Sequence, residues 1–212
     1  METSTKDLTL RLEMVNSFLH GIGILFGIIG MPVLIMNAFK VGNIAYLTGA
    51  GVYAFSFLMV FISSTLYHGY QKPETKRILK IIDHISIYFL IAGTYTPIIL
   101  IFVNNPFGIT LLIILWSLTL LGIIFKIFYT GKYEIISTLL YFFMGWILFV
   151  DSNTFFKAMP APVVSLITAG GILYSIGIIF YLWQKYIYHH VIWHLFVLAA
   201  AICHYSAILM AV

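Results

Sequence analysis

Two histidines, His190 and His194, stand four residues apart at the start of a largely apolar stretch that continues to residue 212. On an α-helix this spacing places both imidazoles on one face, about one turn apart. Paired histidines at this spacing are typical of helical zinc sites, although two interfacial polar residues near a loop would show the same pattern. A third histidine, His68, ends an earlier apolar stretch. We predict that His68, His190 and His194 together bind a zinc ion.

Two further polar residues accompany this candidate site. Ser64 precedes His68 by four residues, so on a helix it lies on the same face and one turn deeper. Its alternative role is a hydrogen bond to the backbone of its own helix. Asp83 stands near the start of the next apolar stretch, where it could accept a proton, cap the helix or pair with Lys80. We predict Ser64 and Asp83 as catalytic residues.

Three neutral imidazoles with one open position are typical of catalytic zinc sites, whereas structural sites are usually closed by four protein ligands. Zinc lowers the pKa of its coordinated water to about 7, so hydroxide becomes available near neutral pH. Asp83 would accept the proton of that water or orient the water, and Ser64 would polarise a substrate carbonyl group or hold the water. These residues therefore suit hydrolysis of an amide or ester. The ligand types alone do not distinguish zinc from another borderline metal.

The composition indicates that a membrane surrounds these groups. Of the residues, 62% are hydrophobic and 8% are charged, whereas about a quarter are charged in soluble domains. The apolar stretches are continuous rather than alternating, which indicates helices rather than a β-barrel. We predict a polytopic membrane protein that acts on a membrane lipid or ligand and has no nucleic-acid partner.

Seven apolar runs are long enough for a spanning helix of about 20 residues. The predicted fold is therefore an all-α, seven-transmembrane helix bundle that forms a single domain over residues 1–212, with residues 1–13 as a short polar lead-in. The fifth run is the shortest. The runs are approximately 16–36, 44–67, 82–102, 107–128, 134–151, 162–184 and 190–211.

Basic residues are unequally divided between the two predicted sides of the membrane. Two of them, Lys40 and Lys157, fall on one side and nine fall on the other. By the positive-inside rule, the N-terminus is cytosolic and the C-terminus is extracytosolic. Six of the seven histidines then lie at the cytosolic face. The nine basic residues are Lys6, Arg11, Lys72, Lys76, Arg77, Lys80, Lys126, Lys132 and Lys185.

Several other ionisable residues have roles that the spacing leaves open. His20, His84 and His189 are either interfacial or support the metal ligands. Glu13 is a candidate cap for the first helix. His204 lies about 15 Å deeper than His194 at 1.5 Å per residue, which suggests a buried hydrogen-bonding histidine. Ionisable groups at membrane depth are costly and usually mark function.

The ordered motifs resemble the hemolysin III branch of the progestin and adipoQ receptor family, which is related to the alkaline ceramidases. The resemblance rests on Ser64-x-x-x-His68, on Asp83 and on His190-x-x-x-His194, and it covers essentially the whole chain. It implies a seven-helix bundle with an intracellular N-terminus and a zinc site near the cytosolic face. His68, His190 and His194 match the family's zinc ligands, and Ser64 and Asp83 match its conserved serine and aspartate.

From these observations we expect a zinc-dependent integral-membrane hydrolase of lipid amides or esters in a bacterial cell membrane. One alternative is a membrane sensor or receptor whose zinc is structural. Another is a cytolytic protein, as the family name suggests, although the chain shows no soluble, refolding toxin architecture. A proton or ion pathway through His204 and Asp83 is a weaker alternative.

Overall fold

The described part of the chain is built almost entirely of helices. The structure is a computed structural model that describes the backbone of residues 2–212 and the side chains of residues 7–212. The side chain of Lys6, one of the nine basic residues above, lies outside this described part. Helix accounts for 89% of the chain, and no strand occurs between residues 2 and 212. The helices are α1 (Glu2–Val41), α2 (Ile44–Gly69), α3 (Pro73–Phe102), α4 (Pro106–Tyr129), α5 (Glu134–Gly145), α6 (Ser152–Ala158), α7 (Ala161–Leu182) and α8 (His189–Ala211), with a 3-10 segment at Ile147–Asp151.

Among the described residues, six helices are long and apolar enough to cross a membrane, namely α1 to α4, α7 and α8. A seventh span results if α5 and the helical residues that follow it count as one. That pair bends by 44°. The predicted all-α, multi-span fold is confirmed, and the shortest predicted run, 134–151, is the irregular one.

The break after α5 is stabilised by hydrogen bonds from neighbouring helices. The hydroxyl of Tyr95 donates to the carbonyl oxygen of Gly145, the last residue of α5. The indole N–H of Trp146 donates to Ser175 Oγ at 2.9 Å. Within a membrane, backbone groups released from a helix need such protein partners, because lipid provides none.

Two helices begin earlier than their apolar residues predict. α1 begins at Glu2 rather than near residue 16, and α3 begins at Pro73 rather than near residue 82. Proline suits the first turn of a helix, where its missing N–H costs no hydrogen bond. Glu13 and Asp83 consequently lie inside helices, and the alternative that either residue caps a helix is wrong.

α3 is the central helix of the bundle. In its most apolar 18-residue stretch, 61% of the residues are buried within the protein. The corresponding fraction is 22% to 44% in the other spanning helices. α2 packs closely against it, because a Cβ atom at Gly49 would lie 2.7 Å from the Cα atom of Pro97. α3 continues through Pro97 as one helix.

α1 packs against both α2 and α8, while α8 also packs against α7. The end of α2 and the beginnings of α3 and α8 lie together at one end of the bundle, which carries His68, Asp83 and His190. We call this the histidine end. The prediction that it faces the cytosol comes from the distribution of basic residues.

Candidate metal centre

Three histidines from two helices converge at the histidine end. His68 lies in the last turn of α2, and His190 and His194 lie at the beginning of α8. Each offers one ring nitrogen, and these three atoms all lie within 4.8 Å of one another. His68 and His194 are 1% and 4% exposed, and His190 is partly buried. The structure therefore brings together the three residues that we predicted as metal ligands.

The geometry of the three rings fits a small metal ion. Nε2 of His194 lies 3.0 Å from Nε2 of His68. Zinc–nitrogen bonds of about 2.0–2.1 Å at a tetrahedral angle would separate two such atoms by about 3.4 Å, so this pair is within a few tenths of an ångström of the separation that zinc needs. The ring planes of His190 and His194 are inclined by 89°, and those of His68 and His194 by 79°. The rings point toward a shared space instead of stacking.

The chemistry of the donor set is also suitable. Three imidazole nitrogens without a carboxylate suit zinc and other borderline divalent metals better than magnesium or calcium, which prefer oxygen ligands. The donors come from a helix face and from a neighbouring helix end, and two of the three are almost fully buried. The residues present can therefore hold such an ion.

The outward-facing nitrogens of two of these rings contact residues of α1. Nδ1 of His68 lies 3.2 Å from Glu13 Oε2, and Glu13 also pairs with Lys76. Nδ1 of His194 lies 2.6 Å from Nε2 of His20. Metal-bound histidines usually donate their second ring N–H to an acceptor of this kind. Sequence reasoning left the roles of Glu13 and His20 open, although their ionisable side chains at membrane depth pointed to them.

Ser64 and Asp83 lie beside this centre. Ser64 is 1% exposed, and its hydroxyl oxygen has no hydrogen-bond partner among the described residues, so the alternative bond to its own helix is not formed. The hydroxyl lies close to the Asp83 carboxyl group without completing a hydrogen bond. Asp83 is 8% exposed, and its interaction with Lys80 is a longer-range electrostatic attraction and not a close ion pair. Because a buried unpaired polar group is costly, the Ser64 hydroxyl is available to a ligand or to water.

A cavity of about 110 Å³ extends from these polar groups into the bundle. Asp83 and His194 line it at the histidine end, and His204 lines it further along α8, about 15 Å away at 1.5 Å per residue. Apolar side chains make up much of the wall between them. They include Val60, Ile87, Leu90, Ile91, Ile178 and Val197.

Two further histidines, His84 and His204, make their described contacts with residues other than the three candidate ligands. Nδ1 of His84 lies 4.0 Å from Glu134 Oε1, and the other oxygen of Glu134 lies 2.6 Å from Nζ of Lys126. The backbone carbonyl of His84 accepts a hydrogen bond from Tyr141 at 2.9 Å. His204 Nε2 lies 3.2 Å from a backbone carbonyl oxygen of α7, in agreement with the buried hydrogen-bonding role predicted for it.

Comparisons with known proteins match nearly the whole chain. A family model described as "Haemolysin-III related" matches residues 8–205, which include all of the site residues above. The chain is 41% identical over 201 residues to the "Hemolysin-3 homolog" of Bacillus subtilis (strain 168), covering 95% of this chain and 94% of that protein. It is 42% identical over 200 residues to the "Hemolysin-3" of Bacillus cereus, covering 94% and 91%.

A weaker similarity extends to an animal protein. The chain is 29% identical over 165 residues to the human "Monocyte to macrophage differentiation factor", covering 75% of this chain and 68% of that protein. That protein is a member of the progestin and adipoQ receptor family. The similarity agrees with the wider resemblance noted from the motifs.

Proposed function

This chain belongs to the haemolysin-III-related family, and we propose that it is a zinc-dependent integral-membrane hydrolase of lipid amides or esters. Its apolar helices and bacterial relatives identify a multi-pass protein of the bacterial membrane. One observation carries the proposal. A buried group of three histidines lies beside an unpaired hydroxyl and a buried carboxyl group at one end of a mainly apolar cavity.

His68, His190 and His194 would hold the metal through their ring nitrogens. Zinc, when bound, acts as a Lewis acid and lowers the pKa of a coordinated water to about 7. Asp83, His190 and His194 line the same cavity, so a water or substrate there would reach both the metal-binding rings and the carboxyl group.

Asp83 is the candidate general base. Its carboxyl group is buried in the cavity wall and not held by a close ion pair among the described residues. It would accept a proton from the attacking water as the water oxygen bonds to the carbonyl carbon. It would then return this proton to the leaving nitrogen or oxygen when that bond breaks, so that the reaction consumes one water and no other reagent.

Ser64 is the candidate donor to the substrate carbonyl. Its hydroxyl makes no hydrogen bond to any described residue, so its proton is available. A donor positioned near the carbonyl oxygen stabilises the negative charge that develops there during attack. Because Ser64 precedes His68 by one helical turn, its backbone position is set by the same helix that carries a metal ligand.

The cavity and the surrounding charge indicate the substrate class. The apolar wall suits an acyl chain that runs into the bundle, with its amide or ester group at the histidine end. Lys72 and Arg77, near the beginning of α3, are exposed at that same end. Basic residues at a membrane surface attract anionic lipid head groups.

A lipid-hydrolysis screen tests the proposal. The purified, zinc-loaded protein is incubated in nanodiscs with a panel of ceramides, other lipid amides and lipid esters, and products are measured by mass spectrometry. We expect at least one substrate to be cleaved. Asp83→Asn should lower the rate by about 10²–10⁴-fold, and Ser64→Ala should lower it by about 10²-fold or more.

Glu134→Gln is the matched control, since it removes a carboxylate at the same end that contacts no candidate ligand. It should retain the activity. If the zinc-loaded protein cleaves nothing in the panel, the proposed hydrolase activity fails for those classes. Zinc that raises thermal stability without any turnover would instead favour a sensor with a structural metal.

The names of the bacterial relatives favour a second candidate function. One is called a hemolysin and the other a hemolysin homolog, so a cytolytic or membrane-permeabilising activity is a distinct alternative. Release of an encapsulated dye from liposomes measures it. If purified protein releases the dye, and if His194→Ala releases it equally well, the activity exists and does not depend on the histidine centre.

A further inference from the structure

We propose that α1 acts as a clasp on the metal centre, in which Glu13 orients His68 and His20 orients His194. This inference rests on the proposed metal site and assigns positioning roles to two residues whose contribution the sequence left open. Neither residue is a candidate ligand, because each contacts the ring nitrogen on the far side of a ligand.

Glu13 determines which nitrogen of His68 faces the centre. Its Oε2 atom lies 3.2 Å from Nδ1 of His68, and a carboxylate can only accept a hydrogen bond. The proton of the neutral ring is therefore held on Nδ1, which leaves the lone pair of Nε2 directed toward His194. A carboxylate in this position also raises the basicity of a ligand histidine and so strengthens its bond to the metal.

His20 orients His194 in the way that Glu13 orients His68. Its Nε2 atom lies 2.6 Å from Nδ1 of His194, and both side chains are buried. If Nε2 of His194 binds a metal, the proton of His194 must lie on Nδ1, so His20 accepts that hydrogen bond through Nε2. The proton of His20 then lies on its Nδ1 atom, which is buried without a partner among the described residues.

These contacts also permit a second arrangement of protons when no metal is bound. His20 can donate through Nε2 to Nδ1 of His194, and His194 can donate through Nε2 to Nε2 of His68, which are 3.0 Å apart. The buried Nδ1 atom of His20 is then a bare acceptor, which avoids a buried unpaired N–H group. Metal binding therefore selects one of the two tautomers of His20 and one of the two tautomers of His194. Because the two rings share a hydrogen bond, both tautomers change together.

The position of α1 explains why one helix reaches both ligands. Glu13 and His20 are seven residues apart, which places them on one face about two turns from each other. α1 packs against both α2 and α8, which carry the two ligands. Between the two contacts, the hydroxyl of Ser17 donates to the backbone carbonyl of Thr65 at 2.9 Å, which joins α1 to the turn of α2 that precedes His68.

A third helix holds the carboxylate in place. Lys76, in the first turns of α3, pairs with the same Oε2 atom of Glu13 that contacts His68. The side chains of Glu13 and Lys76 are 21% and 23% exposed, so this pair forms the outer edge of the centre. The negative charge of Glu13 lies near the ligands and favours a bound cation.

Metal affinity tests the clasp without reference to catalysis. The full-length protein in detergent is titrated with zinc and with cobalt(II) against a competing chelator, and the visible spectrum of the cobalt form is recorded. Glu13→Gln keeps an acceptor oxygen but removes the charge, and His20→Leu removes the acceptor. We expect each to raise the Kd by about 10–100-fold, the range typical of partners that orient metal ligands, and to shift the cobalt spectrum.

Two further variants separate positioning from general stability. His20→Gln restores an acceptor oxygen and should recover part of the lost affinity. Glu134→Gln removes a comparable carboxylate that pairs with a lysine at the same end of the bundle, and it should leave the Kd and the spectrum unchanged. Because Glu13 is partly exposed, Glu13→Gln should fold even if His20→Leu does not, and its result alone decides the role of Glu13.

The outcomes distinguish this inference from the proposed function. Unchanged Kd values and spectra in Glu13→Gln and His20→Leu, or equal changes in Glu134→Gln, would overturn the clasp. If the wild-type protein binds neither metal, both the clasp and the metal-dependent function fail. If the affinities change as expected but no lipid is cleaved, the clasp stands and only the hydrolase proposal fails.

Discussion

Two clusters at the histidine end contain the same three residue types, a glutamate, a lysine and a histidine whose Nδ1 atom faces the glutamate. In both clusters the carboxylate joins helices that are separate in the bundle. We call the first the ligand cluster and the second the anchor cluster. The ligand cluster is Glu13, Lys76 and His68, and the anchor cluster is Glu134, Lys126 and His84.

The two clusters differ in what is buried and in what lies beyond the histidine. In the ligand cluster the ion pair is partly exposed, and the far side of His68 faces His194 at 3.0 Å. In the anchor cluster Lys126 is fully buried, and within the described residues no hydrogen bond or ring contact joins His84 to a second histidine. The same residue types therefore adjoin a candidate metal site in one place and join α4 to α5 in the other.

Burial decides how each cluster contributes to stability. An ion pair near the surface contributes little, about 0–1 kcal/mol, because water and ions screen the charges. Removing one partner of a buried pair is much more costly, because it leaves an uncompensated charge. We therefore expect substitutions in the ligand cluster to change metal binding and substitutions in the anchor cluster to change folding stability.

The largest expected effect is the loss of bound zinc when one of the metal ligands is removed. His194→Ala removes one of three ring nitrogens from the centre, so stoichiometric zinc should be lost. Elemental analysis of the purified variant and of the wild-type protein measures this. Glu134→Ala, in the anchor cluster, should retain the wild-type metal content. A variant lacking His194 that still carries one zinc per chain would show that the metal binds elsewhere.

Breaking the anchor cluster should give the largest change in stability. Glu134→Ala leaves Lys126 buried without its partner, and we expect a loss of up to about 3–5 kcal/mol in the free energy of unfolding. Glu134 is 25% exposed, so water entering the site will reduce that loss. Denaturant titration in detergent measures it.

The double variant Glu134→Ala with Lys126→Met is the control for the anchor cluster. Removing the buried charge as well should restore most of the lost stability, since an apolar side chain has no desolvation cost there. If the double variant is as unstable as Glu134→Ala alone, the lost stability does not come from an unpaired lysine.

Zinc should stabilise the protein by an intermediate amount. A ligand that binds only the folded state at 100 times its Kd contributes about 2.7 kcal/mol. Thermal unfolding with zinc and with excess chelator should therefore differ in Tm for the wild-type protein and not for His194→Ala. An equal shift in both proteins would indicate that zinc acts outside the three histidines.

The smallest effect is expected for the lysine of the ligand cluster. Lys76→Met removes a partly exposed partner of Glu13 and should change the free energy of unfolding by less than about 1 kcal/mol. Because the contact between Glu13 and His68 remains, the Kd for zinc should rise less than in Glu13→Gln. A larger rise than in Glu13→Gln would mean that Lys76, and not the carboxylate, controls the position of His68.

Sequence patterns predicted the helices, the three histidines and the neighbouring Ser64 and Asp83, but not the contacts that α1 makes with the histidine rings. The four-residue spacing of His190 and His194 was sufficient to place them on one face, because helix geometry is local. Glu13 and Asp83 were harder to interpret, since the polar residues around them hid the fact that α1 and α3 continue well beyond their apolar stretches. Their contacts come from other helices, and residue spacing contains no information about these.

The sequence by itself determined that this chain is a bundle of membrane-spanning helices, because in lipid each backbone group must find its hydrogen-bond partner within its own helix. It also determined which residues offer metal-binding nitrogens. Only the tertiary structure decided that His68, 126 positions from His194, lies 3.0 Å from it, and that α1 contacts both. Those distances depend on how whole helices pack against one another, and many weak long-range contacts together set that packing.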